Sequence, residues 1–206
     1  VYFETLRAYS CMAIQQGAHS LFFPGGTRSR SGSLETDLRL GLLSTTIEAQ
    51  RNNYELYYDE KSGYANKIFV VPVTLNYHFV LEAPQLISEY LEKKGQERYY
   101  TDQKNYATSY RILKFLIQFF TKGSDISVSV GQAMDVLGNP VDQEGRSLDS
   151  YGRTIDTSDF FKSSGKITRD RQRETEYARM LSKSIIKSFY RYNRVFSSNL
   201  VAYNAF

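Results

Sequence analysis

The chain reads as an α/β protein, with a partly parallel central sheet flanked by helices and a basic amphipathic helix at its carboxyl end. Three observations predict this. Apolar runs at 19–23, 67–80 and 126–132 have the length and residue types of strands, and they alternate with stretches of helical spacing. That alternation argues for a substantially parallel sheet, because a crossover is what returns a chain to run the same way. The length, 206 residues, suffices to bury one substantial core. Basic charge is local: residues 162–194 hold ten cations (Lys162, Lys166, Arg169, Arg171, Arg173, Arg179, Lys183, Lys187, Arg191, Arg194) against Asp170, Glu174 and Glu176, while the whole chain carries only +4.

The elements follow in order. Residues 2–16 place Phe3, Leu6, Ser10, Ala13 and Ile14 near one helical face, and Gly17 suits the helix end. His19 to Phe23 is expected as a buried strand leading into Pro24-Gly25-Gly26. A second helix is expected from Leu34 to Arg51, with Leu38, Leu42, Thr46 and Ala49 on a common face and Ser33 or Thr36 as its cap. Residues 52–66 are polar and Tyr-rich, with Asp59-Glu60-Lys61-Ser62-Gly63 as a turn. Lys67 to Val80 reads as a long strand in which Pro72 marks an edge or a break in pairing. Ala83 to Lys94 has helical spacing, and 96–107 reads as irregular. Ser109 to Lys122 is apolar almost all round, as in a helix fully buried or partly inserted in lipid. Ile126 to Gln132 is the third expected strand, with turns at Gly138-Asn139-Pro140 and Gly145.

Residues 142–166, rich in Ser, Asp and Gly, are expected to be a linker between the α/β domain of 1–141 and a basic helical tail of 167–206, with no internal repeat. In the tail, Arg179, Lys183, Lys187 and Arg191 recur every four residues and Arg194 joins their face. Opposite them lie Ala178, Leu181, Ile185, Phe189, Tyr192 and Phe196. A helix over 173–196 built this way either packs on the core with its charges in water or lies on an anionic lipid surface.

The segment with most chemical content is Ser20-Leu-Phe-Phe-Pro-Gly-Gly-Thr-Arg-Ser-Arg-Ser-Gly32. Adjacent glycines let backbone N–H groups approach an anion with no Cβ in the way. Arg28 and Arg30 supply planar, bidentate donors suited to phosphate oxygens, and they share a side if the chain is extended. Helix dipole charge adds to this if the next helix starts directly after the loop. The same residues are also ordinary turn chemistry beside solvated arginines, and the spacing is not that of a Walker loop. Residue types alone leave both readings open.

The run Phe23-Pro24-Gly25-Gly26-Thr27-Arg28-Ser29-Arg30-Ser31-Gly32 resembles the third sequence block of the glycerophospholipid acyltransferases, which runs Phe-x-Glu-Gly-Thr/Gly-Arg-Ser-Arg-x-Gly. The nearest relatives on this resemblance are the glycerol-3-phosphate and dihydroxyacetone-phosphate O-acyltransferases. Ile68 to Tyr77, with its central Pro72, resembles their fourth block in character and place. Weaker echoes lie in Val80-Leu81-Glu82 and in Ile126 to Ala133. Two departures stand out. Gly25 replaces the usual glutamate, and the family's His-x-x-x-x-Asp pair is not found, since His19 precedes Pro24 and His78 precedes Ala83 at the required spacing.

The resemblance implies transfer of a fatty acyl group from acyl-CoA or acyl-carrier protein to a hydroxyl of glycerol 3-phosphate or a similar phosphorylated acceptor. It implies that Arg28 and Arg30 hold the acceptor phosphate, that Gly26, Thr27 and Ser29 shape the loop, and that Pro72 and Tyr77 shape the acyl-donor side. The expectation is that residues 1–141 are the carboxyl-terminal part of an acyltransferase domain, with the catalytic pair upstream and this portion inactive alone. No catalytic residue, metal or cofactor is therefore assigned within the chain; the acyl carrier is a co-substrate. A place in phospholipid biosynthesis, on the cytoplasmic side of a membrane, goes with the family.

Other classes weigh less. Cys11 is the single cysteine, forms no internal bridge, and reads as a small core residue rather than a nucleophile. No apolar run approaches the roughly 18 residues of a membrane span. No cluster of His and Cys suits zinc. A nucleic-acid-binding protein is the alternative from another class, since 17 Tyr and 13 Phe accompany the basic tail, but they are spread at core-like positions and no nucleic-acid partner is expected. A non-catalytic relative that keeps the fold and an anion site is the remaining alternative.

Overall fold

The computed structural model describes residues 1–26, 33–57, 66–77, 91 and 126–205. The protein is mixed α/β and divides into two compact units. The first comprises Val1–Thr27, Glu35–Val73 and Val130–Tyr192. Its three helices are α1 (Tyr2–Gln15), α2 (Leu40–Tyr57) and α3 (Arg171–Tyr192), and α2 packs against both of the others.

Helix α2 is buried on most of its circumference, with Leu43, Thr45, Thr46, Ile47, Ala49, Gln50, Arg51, Asn53 and Tyr54 all inside. Two apolar clusters grip it: Ile47 and Tyr54 meet Val136, Leu137, Phe161 and Ala178, while Leu43 meets Leu38, Met134, Leu181 and Ile185. Each large side chain fully withdrawn from water contributes about 1.5–3 kcal/mol before entropy is counted. Most of its polar inward residues are satisfied locally, Asn53 Oδ1 and Arg51 Nε being the exceptions. The hydroxyls of Thr45 and Thr46 donate to the carbonyls of Leu42 and Leu43. Gln50 and Asn53 both donate to the Asn66 carbonyl (3.1 and 2.9 Å), and Gln50 Oε1 accepts the Ile68 N–H, which pins the strand-bound chain to the helix.

Arg51, 5% exposed, makes the one buried charge cluster seen among the described residues. Its Nε lies 2.8 Å from Glu174 Oε1 on α3, as an ion pair rather than an aligned hydrogen bond, with Glu48 and Glu55 further off at 3.8 and 3.5 Å. Arg7 of α1 and Arg169 reach Glu48 from either side, so the three helices share one alternating charge chain.

Residues 133–155 do not form a tail to the domain followed by a linker. They form three successive hairpins built on one seven-residue pattern: Asp135-Val-Leu-Gly-Asn-Pro-Val, Asp142-Gln-Glu-Gly-Arg-Ser-Leu and Asp149-Ser-Tyr-Gly-Arg-Thr-Ile. In each, the glycine N–H donates to the aspartate carbonyl (3.0, 3.1 and 3.0 Å), and the aspartate N–H donates to the carbonyl four residues on (2.9, 3.0 and 2.8 Å). One carboxylate oxygen accepts the N–H groups two and four residues ahead. Gly138, Gly145 and Gly152 have φ of +89°, +75° and +79°, the left-handed region that closes a turn of this kind into a hairpin. The bridges Met134–Pro140 and Val141–Ser147 and the pairing of β3 (Ser147–Leu148) with β4 (Thr154–Ile155) are all antiparallel. A fourth aspartate, Asp156, starts the same side-chain turn by accepting the Ser158 N–H, but opens a 3-10 turn (Thr157–Phe161) instead. That turn delivers Phe161, fully buried, to the core. A last hairpin joins β5 (Lys162–Ser163) to β6 (Lys166–Ile167) and leads into α3.

The structure thus differs from several expectations. The segment expected as a linker, 142–166, is folded, and the expected absence of a repeat is corrected by the three hairpins. Among the described residues every pairing with an assigned direction is antiparallel, where a partly parallel central sheet was expected. For the hairpins the reason is length: a four-residue turn can only reverse the chain, whereas a parallel pair needs a crossover of a dozen residues or more. The strand expected at His19–Phe23 pairs with no other described residue as a strand; Leu21 and Phe23 are 84% and 78% exposed, while Phe22 packs inward. Helix α2 starts at Leu40 rather than Leu34, because the preceding residues are spent returning the chain to Pro24 and burying Leu38. Helix α3 ends at Tyr192, short of Phe196. The expected helix at Ala83–Lys94, apart from Leu91, and the expected helix at Ser109–Lys122, the turn at 59–63, the irregular 96–107 and the echo at Val80-Leu81-Glu82 lie outside the described residues.

The second unit comprises Arg28–Leu34, Thr74–Ser129 and Asn193–Phe206. The division runs through the hydrogen-bonded strands β1 (Val73–Tyr77) and β2 (Ile126–Val130). In this unit Asn76 is the hub: its amide donates to Asn193 Oδ1 at 2.6 Å and its Oδ1 accepts the Arg194 N–H, tying β1 to the chain that leads into α4 (Ser197–Ala205).

Candidate functional site

Of the residues assigned to the phosphate loop, Gly26 is described, and Thr27, Arg28, Ser29 and Arg30 lie outside the described residues. What the structure defines is the base from which that loop departs. Pro24 and Gly25 form a tight turn closed by the Gly26 N–H donating to the Phe23 carbonyl at 3.3 Å. The Pro24 carbonyl accepts the Arg39 N–H at 2.9 Å, so the residue just before α2 is tied to the turn that carries the double glycine.

Two charged side chains lie directly on the glycines. A Cβ built on Gly25 would stand 3.0 Å from Glu35 Oε2 and closer still to Oε1 and the carboxyl carbon. One built on Gly26 would stand 3.1 Å from Arg39 Cζ and closer to Nε and Cδ. Gly26 also has φ +76°, so its lack of a side chain serves both backbone and contact. Glu35 is half-buried and Arg39 exposed. Sequence reasoning missed both. Their signal is weak in one dimension: a glutamate and an arginine four apart look like any solvated pair until the chain is seen to fold back on Pro24.

Pro72 is buried, and its carbonyl accepts the Gly131 N–H at 2.8 Å. A Cβ on Gly131 would lie 2.8 Å from the Tyr192 ring and 3.2 Å from that carbonyl, so the chain at Pro72, Gly131 and the end of α3 is in close mutual contact. Pro72 ends the irregular approach to β1, consistent with a break in regular pairing. No contact among the described residues joins it to Gly25 or Gly26. Tyr77 stands 46% exposed at the end of β1.

Cys11 is 7% exposed, and its thiol is pushed up to about 11, first by burial and then by the nearby Glu48 carboxylate. It bonds weakly to Gln15 and Asn52. That is the environment of a core residue and the reverse of an activated nucleophile. No metal-binding group of three His, Cys, Asp or Glu occurs among the described residues, and no described helix is long and apolar enough to cross a membrane. The basic side of α3 faces outward, with Arg179, Lys183, Lys187 and Arg191 exposed while Ala178, Leu181, Ser182 and Ile185 are buried against the core.

Comparison with known proteins returns nothing: no family model, no curated protein and no solved structure matches the chain.

Proposed function

We propose that the chain is part of an acyltransferase of phospholipid biosynthesis, which moves a fatty acyl group from acyl-CoA or acyl-carrier protein to a hydroxyl of glycerol 3-phosphate or a similar phosphorylated acceptor. The observation that carries this is the block Phe23–Gly32, a double glycine followed by Arg28 and Arg30. Its departure point, tied to the residue before α2 and flanked by Arg39, supports the reading because a helix amino end and a guanidinium favour an anion; the Glu35 carboxylate on Gly25 acts against it. Arg28 and Arg30 grip the acceptor phosphate in this reading, and Gly26, Thr27 and Ser29 shape the loop. Holding the phosphate fixes the acceptor hydroxyl for attack, which replaces an entropic cost in the bimolecular step. A histidine general base and its aspartate partner would come from outside these residues. Pro72 and Tyr77 shape the acyl-donor side in this reading, Pro72 from a buried position and Tyr77 from an exposed one. The fold that goes with this reading has a partly parallel sheet.

The outward basic side of α3 supports association with an anionic membrane surface on the cytoplasmic side, where acyl acceptors and products reside. The absence of a His-x-x-x-x-Asp pair within the chain favours, as a second reading, a non-catalytic relative that binds a phosphate without turning it over.

The test is acyl transfer by the full-length protein. Arg28→Ala and Arg30→Ala are each expected to raise the acceptor KM and lower kcat, with a loss of about ten- to hundredfold in kcat/KM, as expected for a charge-assisted contact of about 1.5–3 kcal/mol. Unchanged acylation in both variants overturns the assignment, and phosphate-dependent binding without any turnover selects the non-catalytic reading.

A further inference from the structure

Helix α1 spends polar residues on its neighbour and leaves its largest apolar ones in water. Arg7 and Cys11 face α2, where they meet Glu48 at 3.9 Å and Asn52 at 3.8 Å. Tyr2, Phe3, Tyr9 and Met12 stand between 53% and 76% exposed. A helix packed on one side normally gives water its charges. Here Glu4 is the single charged residue at the exposed positions of the helix, since Arg7 is half-buried beside Glu48.

The spacing narrows what can cover this side. Tyr2, Thr5, Tyr9, Met12 and Gln16 follow one another at alternating steps of three and four, and all five are exposed. Such steps form the seam by which one helix packs along another. The positions flanking the seam are Leu6, Ala8, Ala13 and Gln15, none of them charged. A seam without charge has nothing to repel its own copy, whereas selection of an unlike partner is commonly written in charges at those flanks. Just past the helix, Leu21 and Phe23 are also exposed. The rings of Tyr2, Phe3, Tyr9 and Phe23 together leave roughly 400–750 Å² open to water. With Met12 and Leu21 added, the apolar area reaches the ~800 Å² per partner of a standard interface. Tyr, Phe and Met are the residue types that interface cores favour. The Tyr2 and Phe3 rings already meet edge to face at 5.5 Å, so part of this surface is ordered in advance.

We propose that the outward side of α1 is the surface through which two copies of this chain pair, seam against seam. The pairing stands apart from the acyl-transfer reading, and neither depends on the other.

The experiment is sedimentation equilibrium of the full-length protein. The parent is expected to be a dimer that dissociates on dilution. Tyr9→Glu is expected to raise the dimer Kd about 30-fold or more, as for a buried aromatic anchor. Thr5→Arg is the second variant: it keeps every ring, sets like charges across the seam, and is expected to weaken pairing about tenfold or more. Both positions are exposed, so helix content by circular dichroism is expected to match that of the parent. Tyr151→Glu, at an exposed hairpin tip, is expected to leave the mass unchanged. A parent that stays monomeric at about 100 μM overturns the proposal, as does a dimer that neither seam variant weakens. A mass above two chains overturns it too, because a face that meets its own copy closes at two. Sedimentation of the parent with neutral phosphatidylcholine vesicles that is lost in Tyr9→Glu would assign the face to lipid and likewise overturn it.

Discussion

Gly138 sits where the first hairpin meets α3, at φ +89°, and a Cβ there would lie 2.8 Å from Ser184 Cβ and 3.4 Å from Leu181 Cα. Gly152 has nearly the same backbone, at φ +79°, with open space around it. The two glycines separate strain from contact. Gly152→Ala is expected to lose only the left-handed penalty, about 1–2 kcal/mol. Gly138→Ala adds a collision with the helix and is expected to cost about 1 kcal/mol more. Urea midpoints of the two variants check the order, and equal losses would contradict the close approach. Cys11 makes a second residue-level prediction. Its folded thiol titrates near 11 against a usual value of 9.0, so the native chain resists alkylation by iodoacetamide until the pH rises well past 9. The sign for stability follows: the unfolded thiol ionises first, so the contribution is intact below 9 and is lost as the pH climbs from there to about 11. A reaction profile with its midpoint near 9 would mean that the thiol is not buried. Asp149 works the other way: the Arg153 N–H, then its guanidinium and the Tyr151 N–H, hold the carboxyl below the usual range.

Helix α3 carries its two roles on opposite sides. Leu181 and Ile185 are 0% and 4% exposed, so Leu181→Ala is expected to destabilise by about 2–5 kcal/mol in thermal or urea unfolding. Lys183 and Lys187 are exposed, and changing both to Gln is expected to leave unfolding unaltered. If the helix lies on anionic lipid as proposed, each cation is worth about 1 kcal/mol near the surface, and the double change lowers sedimentation with anionic vesicles roughly 30-fold. Binding that is unchanged would assign those charges to water alone. The division was legible in advance, because a 3.6-residue period places Arg179, Lys183, Lys187 and Arg191 opposite Ala178, Leu181 and Ile185 whatever the rest of the chain does. Helix α1 was legible for the same reason. The hairpins were not, since their signal is not an apolar period. It lies in Asp and Gly held three apart and repeated every seven residues, which in composition alone resembles a linker. Leu21-Phe22-Phe23 misled in the opposite direction: apolar residues invite a strand, but a strand also needs a neighbour to take its N–H and C=O groups, and none among the described residues is paired with it.

Across the whole molecule, what can be read from sequence divides at the point where distant segments meet. Gly26 and the arginines are visible as a contiguous block, and the turn at Pro24-Gly25 forms as its residues dictate. The contacts of Glu35 and Arg39 with the glycines exist only because the chain returns to Pro24, which no local pattern announces. The charge chain through Arg51 is likewise invisible in one dimension, since Arg7, Glu48, Arg51 and Glu174 come from three helices.

The hairpin series has a consequence for how this chain can change length. Each seven-residue pass moves the backbone sideways by one strand spacing and reverses its heading, so three passes carry it about 14 Å across before Asp156 turns it toward the core. Removing one pass would send the following segment out of the opposite end of the ladder. Removing two would restore the heading but leave the chain about 10 Å short of the place where Phe161 is seated. The series therefore acts as a ruler with both a parity and a fixed count, and insertions are tolerable at its turn tips far more readily than losses are within it.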